Sequence, residues 1–400
     1  MDNLKIYAET CEIEAREQIR TLMKLKPFQD SKVRIMPDVH AGKGCVIGFT
    51  SDYQKSIIPN IIGVDIGCGI LCVKLKNSNI DLNLLDKTIR NYIPSGFNIH
   101  PIPLSTPFTL GMISMIEEMH CFEHLTNKEK FSRSIGTLGG GNHFIEVDVD
   151  ENGDKYLVIH TGSRNLGKQV ADYYQNKAFE YCKENLQQKY QMEVKKIVDE
   201  HKKQGTEQDI QQKLIDLKAE YGCPPKDLCW LSPKDTEDYL DDMRVCQCYA
   251  QVNRETIAKI IIDALKLDVE YWFESVHNYI SFNDNIIRKG AISAHDGEQV
   301  IIPMNMRDGS IIGKGKGNIE WNCSAPHGAG RVMSRSQARK NIEISDFYES
   351  MKGIYTTSVC EGTLDEAPMC YKPMEEITNL ISDTVNIQRI IKPIYNFKAE

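Results

Sequence analysis

Three absences narrow what this chain of 400 residues can be. No apolar run approaches a membrane span, and Met1-Asp2-Asn3-Leu4-Lys5 lacks the apolar core of a signal peptide. Positive charge is not in excess. With 48 Lys and Arg against 56 Asp and Glu, the formal net charge is −8, which excludes a basic nucleic-acid coat. Any RNA or DNA contact must use a local basic patch. A disulfide framework is also missing: the 13 cysteines are odd in number and irregular in spacing. The expectation is a cytoplasmic protein with reduced thiols, in which a special cysteine is a ligand or a nucleophile. What is present is ordinary for a globular protein, with 41% hydrophobic and 26% charged residues and enough apolar surface for a large core. Length alone suggests two or three domains.

The chain is organised around Asn60-Ile-Ile-Gly-Val-Asp-Ile-Gly-Cys-Gly-Ile70, an apolar strand ending in a glycine-lined turn. There Asp65 and Cys68 stand three residues apart, and glycines leave room for close approach. A thiolate beside a carboxylate suits a borderline divalent cation, and a thiolate can bridge two. The alternative is a buried cysteine acting as a small hydrophobe.

Other segments supply partners. A helix is expected over 12–24. Lys32 to His40 reads as a strand carrying Asp38 and His40 on one face to its end, with a hydrogen-bonded turn as the alternative. A strand resumes over 45–49, and helices are expected over 82–92 and 112–125. The second holds His120-Cys-Phe-Glu-His124, which fits a zinc-peptidase pattern but has no third ligand downstream, so His120 and His124, like His201, should lie outside any site. A glycine run, Gly136 to Gly141, leads into a strand over 143–149. Asn152-Gly153 then signals a two-residue hairpin turn into a strand over 155–160. That turn would pair His143 with Gly162 and make His143 and His160 diagonal neighbours, roughly 7–8 Å apart. Gly162 to Lys168 fits G-x-x-x-x-G-K, but Gln169 replaces the magnesium-holding hydroxyl of a P-loop. A phosphate contact by Ser163 and Arg164 at a helix start remains open.

Residues 168–226 read as a polar helical insertion with a solvated face, followed by a long helix over 235–265. Glu274 to Tyr279 returns to a strand and offers His277. A strand pair spans 301–312 with a turn at Arg307-Asp-Gly309, and 313–317 reads as flexible and basic. Pro326-His-Gly-Ala-Gly330 then reads as opening a helix over 332–340. Its free N–H groups would form an anion site with His327 in its mouth. Arg331, Arg335 and Arg339 recur at helical spacing, a candidate phosphate-backbone track, with a solvated face as the alternative.

Five blocks together resemble the RtcB family of GTP- and manganese-dependent RNA ligases. They are Asp38-Val-His-Ala-Gly-Lys-Gly44, Gly63-Val-Asp-Ile-Gly-Cys-Gly69, Gly139-Gly-Gly-Asn-His-Phe-Ile-Glu146, His160-Thr-Gly-Ser-Arg164 and His327-Gly-Ala-Gly-Arg-Val-Met-Ser-Arg335. They follow the family order over essentially the whole chain. The resemblance implies an α/β fold: one catalytic domain over 1–400 with mixed sheets around a dinuclear metal site. It implies two manganese ions, with Cys68 shared and Asp65, His143, His160 and His277 completing the set. His327 would take GMP from GTP, oriented by Asp38. Asn142, Glu146, Ala329, Gly330, Tyr371 and Lys398 match positions around the nucleotide. The implied substrates are an RNA 3′-phosphate or 2′,3′-cyclic phosphate end and a 5′-hydroxyl end, in RNA repair or tRNA splicing. Any activating protein partner is left unidentified.

The chain departs from the family pattern twice. Met304-Asn-Met-Arg-Asp308 replaces a common Gly-Ser-Met, which suggests a tighter triphosphate pocket, with Asn305 and Ser310 still able to hydrogen-bond a phosphate. His295-Asp296 stands where Arg-Ala is common. Two other readings compete: a cyclic phosphodiesterase using the same metals without ligation, and a non-catalytic RNA-binding protein. His327 among its glycines favours ligation, because hydrolysis needs no guanylylated histidine. Five candidate ligands argue against the non-catalytic reading.

Overall fold

Period-two patterning sets the largest element. In strand Gly69–Leu75, Leu71, Val73 and Leu75 face one way and Ile70 and Cys72 the other, and both sets are buried. The same alternation holds in Phe144–Val149 and Lys155–Thr161. A computed structural model describes residues 3–399 apart from 55, 77–78, 205, 207–209 and 222. These strands belong to an eight-stranded sheet. Its order is Gln299–Asn305, Gly309–Gly315, Val385–Lys398, Phe144–Val149, Lys155–Thr161, Gly69–Leu75 and Val269–Val276, with Tyr355–Thr356 pairing alongside Val385–Lys398.

One face of the sheet packs against helices Leu82–Tyr92 and Pro233–Leu265 through Leu85, Ile89, Ile257 and Ile261. The other face closes on itself. Ile301 and Ile312 from one end of the strand order pack with Ile70, Val158 and Phe273 from the other, and Ile301 N–H donates to Ser275 Oγ at 3.0 Å. The sheet is therefore curled, with a lined interior. A five-stranded sheet (Leu4–Ile6, Val33–His40, Ile47–Asp52, Ile286–Lys289, Asn278–Ile280) and the pair Ala291–Ser293 with Ser324–Pro326 lie beside it. Most pairings are antiparallel, while Leu4–Ile6 with Val33–His40 and Tyr355–Thr356 with Val385–Lys398 are parallel. The architecture is thus mixed α/β.

Several expectations are corrected. The hairpin register is shifted by one residue from the expected pairing of His143 with Gly162: Phe144 pairs with His160 and Val149 with Lys155. Asp150 caps a longer turn, accepting from Asn152 N and Asp154 N at 3.0 Å, with Gly153 at φ 85°. The helix expected over 112–125 runs instead from Pro107 to Glu117. The segment 313–317 is ordered as strand as far as Gly315. Helix Arg164–Gln204 begins earlier than the expected insertion, and its first turns are core: Leu166, Val170, Tyr174, Ala178 and Cys182 are buried. Among the described residues, no helix is long and apolar enough to cross a membrane.

Arg254, on helix Pro233–Leu265, ties this frame to the organising turn. Its guanidinium is buried, donates to Gly67 O at 2.9 Å and Thr161 O at 3.0 Å, and pairs with both oxygens of Glu274 at 3.1 Å. Removing one partner of a buried ion pair leaves the other uncompensated. Arg254→Met is expected to lower unfolding stability by about 3–5 kcal/mol in urea titration. Adding Glu274→Gln should restore part of that loss, and strict additivity of the two changes would refute the coupling.

Candidate active site

The interior of the curled sheet opens at one end, where the inner-face parity continues beyond the strands. Cys68 precedes Gly69 in step with Ile70 and Cys72. His160 follows Tyr156 and Val158, and His277 follows Phe273 and Ser275. Their tips meet: Cys68 Sγ lies 3.3 Å from His160 Nε2, and His160 Nε2 lies 3.3 Å from His277 Nε2. His143 arrives by another route. Its sequence parity is that of the outward face, but it stands just outside Phe144–Val149, at the end of the glycine run. From there its Nε2 reaches within 3.5 Å of Cys68 Sγ and 3.1 Å of Asp65 Oδ2. The two histidines therefore converge although the register argument for their doing so fails.

Asp65 is fixed by the next helix. Its Oδ1 accepts from Ser163 N at 2.9 Å and from Ser163 Oγ at 3.4 Å, ahead of helix Arg164–Gln204. A Cβ on Gly162 would run into this carboxylate, so glycine is required there. The expected phosphate contact by Ser163 and Arg164 is not open, since Ser163 serves Asp65 and the Arg164 guanidinium serves Thr137 Oγ1 and Gly96 O.

These donors form two overlapping groups, Cys68 with His160 and His277, and Asp65 with Cys68 and His143, each within 4.8 Å among its ligand atoms. Imidazole orientation fits metal binding. His143 Nδ1 lies 2.9 Å from Leu138 O and His160 Nδ1 lies 3.1 Å from Asn142 O, so an N–H donated there leaves Nε2 lone pairs aimed at Cys68. Burial, reinforced by neighbouring imidazoles, holds His160 and His277 well below the ordinary histidine pKa and therefore neutral. Burial also opposes ionisation of Asp65, but its contact with His143 outweighs this and keeps its pKa low. Burial and the nearby Asp65 push the Cys68 thiol far up, so a thiolate at this position requires a cation beside it. The set of one thiol, three imidazoles and one carboxylate thus fits a divalent-cation site.

His327 lies beside this cluster, its ring centre 4.8 Å from that of His277 and the two ring planes tilted by 53°. Its Nδ1 lies 2.6 Å from Asp38 Oδ2, and its backbone N–H donates to the same oxygen at 3.1 Å. Asp38 is fully buried near the end of strand Val33–His40. Gly330, at φ 77°, packs so closely that a Cβ would strike Asp38 O. The same strand brings His40, whose Nδ1 lies 2.9 Å from Asp38 O and whose pKa burial lowers to about 4.

A cavity of about 780 Å³ extends from this point. Asp65, Cys68, His160, His277 and His327 line it, whereas Asp38 and His143 stand behind. Ala329 and Gly330 form one wall. Asn142, Glu146, Tyr371 and Lys398 gather at another part. There Lys398 Nζ lies 3.4 Å from Asn142 O and 5.5 Å from the centre of the Phe144 ring. Burial raises the Glu146 carboxyl to about 7, and Asn396 donates to it. Glu366 was not singled out from the sequence. It lines the cavity and is bonded by Tyr371 OH at 2.6 Å and Lys398 Nζ at 3.0 Å. Burial disfavours its charge, but Lys398 and Arg335 overcome that and hold its pKa at about 2. Its place in the Asp365-Glu-Ala-Pro turn is the only sequence signal it offered.

The loop after His327 is not the expected helix start. The helix runs Arg335–Asn341, and Ser334 and Gln337 close its first turn in a capping box, so no free helix end faces His327. The arginines do not form a free phosphate track either. Arg335 and Arg339 reach Asp365 at 3.1 and 2.9 Å, and Arg331 reaches Glu366 at 3.5 Å.

In the departure segment, Met304 is buried and lines the cavity. Asn305 also lines it, but its side chain is committed to the turn, accepting from Arg307 N and Asp308 N and donating to Asp308 Oδ2. Ser310 is fully buried within its strand, has no partner for Oγ, and is not among the cavity residues. His295 pairs with Asp284 at 2.9 Å, outside the cavity. His120 faces Asp238 and Asp241, His124 stacks on Tyr173, and His201 contacts Thr206, so all three lie apart from the cluster.

Purified protein loaded with manganese should bind two ions by elemental analysis. Cys68→Ala should lose both, whereas Asp65→Ala and His277→Ala should each lose one. Equal losses from all three variants would refute a shared sulfur. Because thiolate and imidazole also suit zinc, zinc should compete for the same positions.

Comparison with known proteins gives one consistent picture. The sequence model of the family described as "tRNA-splicing ligase RtcB" matches residues 18–399. The chain is 29% identical to "RNA-splicing ligase RtcB" of Escherichia coli (strain K12), over 97% of this chain and 95% of that protein. It is 25% identical to "tRNA-splicing ligase RtcB" of Nanoarchaeum equitans, over 97% and 93% of the two chains. With the protein of that name from Aeropyrum pernix the identity is 27%, over 96% and 92%.

Proposed function

The chain belongs to the RtcB family, and from that premise we propose that it is a GTP-dependent ligase joining an RNA 3′-phosphate or 2′,3′-cyclic phosphate end to a 5′-hydroxyl end. One observation carries the reading: a histidine held at Nδ1 by a buried carboxylate, its ring against a cluster of metal-type donors, in a cavity large enough for a nucleotide. Two manganese ions held by Asp65, Cys68, His143, His160 and His277 would polarise phosphoryl oxygens and stabilise their charge.

The protein's own groups account for the remaining chemistry. With its Nδ1–H donated to Asp38, His327 presents the lone pair of Nε2. Nε2 attacks the α-phosphorus of GTP, a P–N bond forms, and the bond to pyrophosphate breaks. Asp38 stabilises the imidazolium that results. An oxygen of the RNA 3′-phosphate then displaces His327 and takes the guanylate. The 5′-hydroxyl attacks the activated RNA phosphorus, and GMP leaves as the strand closes. A cyclic phosphate would first be opened by water to the 3′-phosphate. Asn142, Glu146, Tyr371 and Lys398 would seat the guanine, with donors and acceptors arranged around Lys398 and Glu366.

The test is incubation with manganese and α-labelled GTP. Label should join the protein through a bond lost in acid and stable in alkali. His327→Ala should abolish labelling while ligation of a pre-guanylylated RNA 3′ end continues. Asp38→Ala should slow labelling roughly 100-fold or more. Labelling of His327→Ala at the parental rate would overturn the assignment, and cyclic ends opened without joining would favour a phosphodiesterase.

A second expectation concerns Met304, which fills space beside the cavity. Relief of crowding worth about 1 kcal/mol would lower the KM for GTP about fivefold in Met304→Gly. Manganese binding should be unchanged. An equal or higher KM would show that Met304 does not crowd the nucleotide.

A further inference from the structure

Away from the cavity, three cysteines meet where helix Arg164–Gln204 packs against the segment after helix Ile210–Tyr221. Cys223 is exposed, and its sulfur lies 3.9 Å from that of buried Cys229. Cys182, also buried, hydrogen-bonds Cys229, and its sulfur accepts from Trp230 N at 3.3 Å and donates to Trp230 O at 3.5 Å. Two consecutive prolines separate Cys223 from the short helix Lys226–Leu228 and restrict the loop, and Cys229 Sγ is held beside Pro224 O and Pro225 O at 3.5 and 3.6 Å. Cys229 therefore stands between two thiols, one reachable from solvent and one in the core.

The segment also supports the active-site wall. Asp227 accepts from Asn60 Nδ2 at 2.8 Å, Leu231 N donates to Ile57 O at 2.9 Å, and Gln175 links Lys226 O to Asn60 N. Lys289 joins Asn60 O to Lys43 O, and Lys43 lines the cavity.

We propose that Cys223, Cys229 and Cys182 form an oxidative modification site in which a peroxide links Cys223 to Cys229 and Cys182 can then exchange into the bond. The exposed Cys223 sulfur, as thiolate, attacks one peroxide oxygen. The O–O bond breaks, one water leaves, and a sulfenic acid remains. Cys229 sulfur attacks that sulfenic sulfur, the S–O bond breaks, a second water leaves and the disulfide forms. Two thiols are oxidised, one hydrogen peroxide is reduced to two waters, and the thiol protons end in those waters. Exchange follows when Cys182 thiolate attacks Cys229 sulfur and Cys223 leaves as thiolate. None of this depends on the ligase reading.

The experiment uses the full chain, treated with stoichiometric hydrogen peroxide, trapped with N-ethylmaleimide and mapped without reductant. The expected product has lost two hydrogens, carries a Cys223–Cys229 or Cys182–Cys229 link, and is restored by dithiothreitol. Cys182→Ser should give the Cys223–Cys229 link alone. Cys229→Ser should leave Cys223 carrying added oxygen and no link. Cys223→Ser, at an exposed position that folding tolerates, should reduce linkage to Cys229 by about tenfold. Oxygen addition at Cys223 of the parent without any link, a first disulfide between other cysteines, or parental linkage in Cys223→Ser would each overturn the proposal.

Discussion

Desolvation is the constraint on which this protein depends. At the open end of the curled sheet a thiol, three imidazoles and a carboxylate share space that burial has largely stripped of water. Each would be costly to bury alone. Together they satisfy one another in part: Asp65 is held by Ser163 and His143, and two imidazoles donate to backbone carbonyls. The same burial keeps His160 and His277 neutral and Cys68 protonated, so the unmet demand is for positive charge. The frame accommodates this because its apolar faces lie directly beneath, with Arg254 pinning the turn and the strand end from below.

A second consequence of low dielectric appears across the cavity. Glu146 and Glu366 are both buried and both near Lys398, yet they differ in charge tendency. Glu366 has Tyr371, Lys398 and two arginines around it and stays ionised. Glu146 has one amide donor and a neighbouring buried Asp148, and burial raises its pKa toward neutrality. One carboxylate thus anchors a cation, while the other can share or give up a proton near neutral pH.

Much of this was legible in the sequence where the signal is local. The glycine-lined turn from Asp65 to Cys68, the strands expected over 143–149 and 155–160 and the long helix expected over 235–265 follow from glycine placement, alternation and helical periodicity, whereas the apolar run before the turn is the short helix Pro59–Ile62 and not the expected strand. Information carried by distant partners was not legible. The hairpin register turned on Asp150 capping a longer loop instead of on the Asn152-Gly153 pair. Arginines 331, 335 and 339 looked like a free basic track because Asp365 and Glu366, their partners, lie some thirty residues on. The helix start slid to Arg335 because Ser334 and Gln337 cap each other, a four-residue signal that the glycines before it obscured. Ser310 kept its identity but not its access, since a strand position turned it inward.

Strand Val385–Lys398 has a bearing on biogenesis. It sits between Gly309–Gly315 and Phe144–Val149, and in the strand order it is the sole bridge between the two halves of the large sheet. It also carries Asn396, bonded to Glu146, and Lys398, bonded to Glu366. A nascent chain emerging from the ribosome would hold every candidate ligand and His327 before this strand was available to join the sheet. Until then the apolar edges of both halves would stay uncovered, a state prone to aggregation and slow to resolve because the missing pairings are non-local. The cavity would therefore close only once this strand had joined the sheet.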